Sequence, residues 1–76
     1  MLFLIEYNRK QGQLVTFTKF SDEQRKIAAG RRLQLELLLN HQRIDHEVVL
    51  LHTVDENAVR RTHRRYFEDL SELLRG

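Results

Sequence analysis

The sequence predicts a small two-layer α+β domain, with elements in the order strand, strand, helix, strand, helix and a three-stranded antiparallel sheet in the order 2-1-3. Three observations predict it. MLFLIEY at the start is apolar on both faces of a strand, VVLL at residues 48–51 is apolar in the same two-sided way, and each of the two long segments that follow a strand opens with helix-capping chemistry.

The first strand spans Met1 to Tyr7. Leu2, Leu4 and Glu6 share one face, and Phe3, Ile5 and Tyr7 share the other. A strand without polar alternation is covered on two sides, which places it in the middle of the sheet. Asn8 to Gln13 is a polar connection in which Gly12 is available for a positive φ, and Leu14 to Phe20 alternates with β-branched and aromatic residues. The pair reads as a hairpin.

Ser21 followed by Asp22, Glu23 and Gln24 is a helix start: Gln24 can bond back to the cap, and the acids suit the positive helix end. The helix continues to about Leu39, with Asn40 suited to the left-handed C-terminal position. Ile27, Ala28, Leu35, Leu38 and Leu39 fall on one stripe with Arg31 inside it, while Ala29, Leu33 and Leu37 form a second stripe nearly opposite. One stripe can cover the sheet. The other needs a second helix or a second subunit.

Ile44 to Thr53 reads as the third strand. The last helix starts with either a Thr53/Glu56 capping box or an Asp55 cap and runs to about Leu74, with Val59, His63, Tyr66, Phe67, Leu70, Leu73 and Leu74 on one stripe. A hairpin followed by a right-handed helical crossover, with the most apolar strand in the centre, gives order 2-1-3 with every neighbouring pair antiparallel.

At 76 residues the chain is a single domain, 1–76, that buries only about 60% of its unfolded surface. Both helices on one sheet face would leave the other face bare, whereas helices on opposite faces would cover both. The bare face, or the second leucine stripe, leads to the expectation of a homodimer acting as a small interaction or regulatory module.

Composition excludes several classes. The chain has no cysteine, which removes disulfides, thiol chemistry and Cys zinc sites and fits a reducing cytoplasm. MLFLI is too short for a signal peptide or a membrane span, so a soluble cytoplasmic protein without membrane contact is expected. A formal charge of +2 is too mild to imply nucleic acid by itself.

Charge is concentrated only in RRTHRR, where Arg60, Arg61, Arg64 and Arg65 form a candidate surface for nucleic acid or an acidic protein partner. Arg60 and Arg64 occupy one flank and Arg61 and Arg65 the other, and Glu68 and Asp69 stand four residues after Arg64 and Arg65, so a self-paired solvated face is the competing reading. His63 falls inside the apolar stripe, as a structural or pH-sensitive residue. His41, His46 and His52 lack metal-site spacing, and no metal or cofactor is expected. No glycine-rich phosphate loop or activated serine is present, so an enzyme using His63 with an arginine ranks last, after the interaction module and the nucleic-acid module.

Overall fold

The computed structural model describes residues 1–62 and 64. Its elements are β1 (Leu2–Asn8), β2 (Gln13–Phe20), a short 3-10 turn (Asp22–Gln24), α1 (Arg25–His41), β3 (Glu47–His52) and α2 (Glu56–Thr62). The expected extension of the last helix to Leu74, with His63 and its apolar neighbours, lies outside the described residues, as does Arg65.

The sheet order is β2-β1-β3 with both pairs antiparallel, as the two-sided apolarity of MLFLI requires. Leu4 stands opposite Thr18 on one side and Leu50 on the other. Between Glu6 and Tyr7 the β1–β2 register slips: Glu6 pairs with Thr16 and Tyr7 with Leu14, leaving Val15 as the extra residue of a bulge. The hairpin turn is held by the Asn8 side chain, whose Oδ1 accepts from the N–H groups of Lys10 and Gln11 at 3.1 and 3.2 Å, and Gly12 supplies the positive φ of 63°.

The helices divide between the faces. Ala28 of α1 is buried among Leu2, Leu4 and Phe20 with Val48 and Leu50 alongside, whereas Val59 of α2 is buried on Phe3 and Ile5 with Phe17, Val49 and Leu51 around them. Neither sheet face is left bare at its centre, so the arrangement with both helices on one face does not occur. Phe3 stacks on Phe17 with ring centroids 5.1 Å apart.

Caps open both helical segments, the Ser21/Gln24 box at the 3-10 turn that leads into α1 and Asp55 at α2. Gln24 Oε1 accepts from the Ser21 N–H at 2.9 Å, the return bond expected of a capping box. For α2, Asp55 is the cap: its Oδ1 accepts from the Ala58 N–H at 2.8 Å.

The end of α1 corrects the sequence reading. Arg43, with φ 58°, takes the left-handed position expected of Asn40, and the helix runs on to His41. The Arg43 N–H bonds to the Asn40 carbonyl at 3.2 Å and the Ile44 N–H to the Leu39 carbonyl at 2.9 Å, the two bonds of a Schellman ending. That turn also delays β3, which begins at Glu47 rather than Ile44.

Candidate functional site

The exposed surface of α1 is built by where the helix sits. It packs over β3 and β1, and beside β2 it leaves a groove of about 270 Å³ whose walls include Leu4, Thr18, Phe20, Leu35 and Leu38. Only Ala28 and Leu39 of the helix are buried. Ile27 and Leu38, expected to cover the sheet, are left largely outside the core: together with Leu33 and Leu37 they are 52% to 59% exposed. The two stripes expected from periodicity are thus unequal. A narrow one centred on Ala28 and Leu39 meets the sheet, and a broad one carrying Ile27, Leu33, Leu37 and Leu38 faces outward.

A second feature is polar and buried. Glu6 is only 6% exposed, on the central strand and on the α1 side of the sheet. Its Oε2 lies 2.6 Å from His46 Nδ1, and its Oε1 accepts from the Thr16 hydroxyl at 3.0 Å. An ionised carboxylate only accepts, so this bond needs the imidazole proton on Nδ1, and in the neutral ring Nε2 is then an acceptor. The three side chains tie β2, β1 and the segment leading into β3. His46 also borders a cavity of about 300 Å³ shared with Glu36, Asn40, Ile44 and Val48. This cluster is absent from the sequence reading. Its signal was Glu6 itself, a carboxylate on the same face as Leu2 and Leu4, which demands a partner.

At the opposite end of β3, Asp22 gathers the terminal ammonium of Met1 at 2.7 Å and His52 Nε2 at 3.1 Å. The hydrogen bond from the ammonium holds its carboxyl below the usual 3.8, with a further lowering contribution from His52. His46 and His52 are therefore each engaged with a different acid. Among the described residues no cluster of three or more His, Cys, Asp or Glu side chains could hold a metal ion, and no helix is long and apolar enough to cross a membrane.

The arginine helix is only partly described. Arg60 bonds Glu56 Oε1 at 2.8 Å and lies 5.8 Å from the Phe17 ring centroid, so it roofs the aromatic pair rather than projecting away. Arg61 and Arg64 are exposed. Arg65 and His63, and the spacings of Arg64 to Glu68 and Arg65 to Asp69, fall outside the described residues.

Neither protein-family models, nor curated proteins, nor solved structures yield a match to this chain.

Proposed function

We propose that this protein is a small self-associating interaction module, with the outward face of α1 as its contact surface. The observation that carries this reading is the exposure of Ile27, Leu33, Leu37 and Leu38 on one side of a single helix. Four aliphatic side chains a little more than half exposed amount to an apolar area on the order of 400 Å², within the roughly 300–600 Å² of the largest patch on a typical monomer, a patch that is often functional. A stable dimer buries about 800 Å² on each partner, roughly 450 to 500 Å² of it apolar. The patch matches what one partner contributes.

Light scattering after size exclusion at tens of micromolar tests this. A dimer mass is expected, and L33E or L37E, both at positions more than half exposed, converts it to a folded monomer. A monomer for the parent chain under these conditions overturns the proposal.

A nucleic-acid role for α2 is the second reading, supported by the exposure of Arg61 and Arg64 three positions apart. With Arg60 drawn over Phe17, fewer phosphate contacts are expected than the four arginines suggest. Affinity for a single strand or duplex should then fall with salt at a log-log slope of about −2 to −3. Salt-independent binding, or none, removes this reading.

A further inference from the structure

Gly30 stands in the interior of α1, where glycine is the least favoured residue after proline. Nothing among the described residues explains it. Its backbone is helical, with no positive φ to accommodate, and apart from its chain neighbours and the helix's own backbone no atom of the described residues lies within 4 Å of where a Cβ would sit. The position is not on the sheet side of the helix. At about 100° per residue, Gly30 lies within about 20° of Leu37, with Leu33 on one flank and Ile27 and Leu38 on the other. It is a notch in the middle of the outward face, where the polar Lys26, Gln34 and His41 interleave with the four aliphatic side chains.

We infer that the occupant of this notch is Leu37 of a second copy of the chain, in an antiparallel α1–α1 dimer whose two-fold axis passes near Leu33 and Gln34. The inference rests on the self-association reading above and specifies its geometry. Two requirements give the same register. Placing Leu37 of one copy over Gly30 of the other sets the axis midway between positions 30 and 37, and the average position of the four exposed apolar residues falls within one residue of that point. In an antiparallel pair the same flank of each helix meets its counterpart. Leu33 then meets Leu33 of the partner across the axis on one flank, and Ile27 meets Leu38 of the partner on the other. All four exposed side chains find apolar partners, and the notch is filled twice. A helix lacking a side chain at the crossing also permits the close axial approach that makes such packing dense.

Cysteine cross-linking tests the register directly, because the chain has no cysteine of its own. Under mild oxidation L33C should form a disulfide-linked dimer, whereas K10C, on the far hairpin turn, should not. I27C and L38C should each cross-link poorly alone and efficiently when mixed. G30L should raise the dimer dissociation constant by about 30-fold or more, since it fills the notch that Leu37 needs, while circular dichroism shows the fold retained. A parent chain that is monomeric overturns self-association and this geometry with it. A dimer that G30L leaves intact, or one in which L33C does not cross-link or the I27C and L38C mixture gains nothing over either alone, overturns the register and leaves self-association standing.

Discussion

Glu6 Oε2 and His46 Nδ1 lie 2.6 Å apart beneath α1, joining the middle strand to the segment that leads into β3. Removing either partner is not equivalent. Replacing His46 by Phe leaves a buried carboxylate with one remaining hydrogen bond, from Thr16, and should cost about 2–3 kcal/mol. Replacing Glu6 by Leu removes the buried charge itself, and the more accessible imidazole and hydroxyl can turn to water, so the loss should stay under about 1 kcal/mol. Urea denaturation of H46F and E6L checks the order. Equal losses would show that the pair matters only through packing.

Asp22 makes a pH prediction with a defined sign. Its folded carboxyl titrates below the ordinary 3.8 because the Met1 ammonium and His52 favour the charged form. Such a group stabilises the fold fully above its unfolded pKa, and the contribution disappears as pH falls through the folded value. D22N should therefore lower the melting temperature slightly at pH 5 to 6, and the difference from the parent chain should close as the pH drops below about 3.8. The contribution is small, since the site is solvent-accessible and salt-screened. A difference that persists or grows in acid would assign the effect to something other than this carboxylate.

Much of the sheet was legible because β1 carries its place in its residues: only a central strand tolerates Leu2, Phe3, Leu4 and Ile5 in succession. Gly12 and the Ser21/Gln24 cap were legible for the same reason, each being a local rule satisfied by neighbours. What periodicity could not give was the placement of α1 as a body. An angular stripe says which residues share a side, not how far the helix overlies each strand, and the shift of α1 toward β3 exposes Ile27 and Leu38 while burying Leu39. Arg43 was hidden by a preference: Asn is the better left-handed residue, yet the helix continues one residue past Asn40, and two backbone bonds hold Arg43 where Asn was expected. Glu6 was visible, but its partner lies 40 residues away, beyond any local pattern.

Arg43 at φ 58° holds a conformation that side chains with a Cβ resist, in a Schellman ending that glycine ordinarily occupies. R43G should raise stability by about 0.5–1 kcal/mol, with the Ile44 to Leu39 bond preserved. Thermal denaturation and amide exchange at Ile44 check both parts. Destabilisation would mean that the Arg43 side chain makes a contact worth more than the backbone strain.

Val59 is the residue by which α2 seals the Phe3 and Ile5 face, and it is fully buried there. V59A should cost roughly 2 kcal/mol through lost burial and the cavity left against two rigid strands. Val54, 86% exposed just before α2, provides the contrast: V54A should change stability by less than about 0.5 kcal/mol. Chemical denaturation of the two variants separates α2 as a structural cover from α2 as an appendage, since near-equal effects would show that its docking contributes little.

Gly30 is where the stability of one subunit and the stability of a pair pull apart. Within the subunit, G30A relieves the entropic cost of glycine in a helix interior, and its methyl enters open space, so unfolding measured at sub-micromolar concentration should become harder by about 1 kcal/mol. In the pair, the same methyl occupies part of the notch that receives Leu37, so the dissociation constant should rise several-fold. The two effects have opposite signs and different concentration dependence: G30A melts higher than the parent chain when dilute, and its advantage shrinks or reverses as concentration rises and dimerisation adds to the parent's stability. An advantage that stayed constant across concentrations would place Gly30 outside any interface.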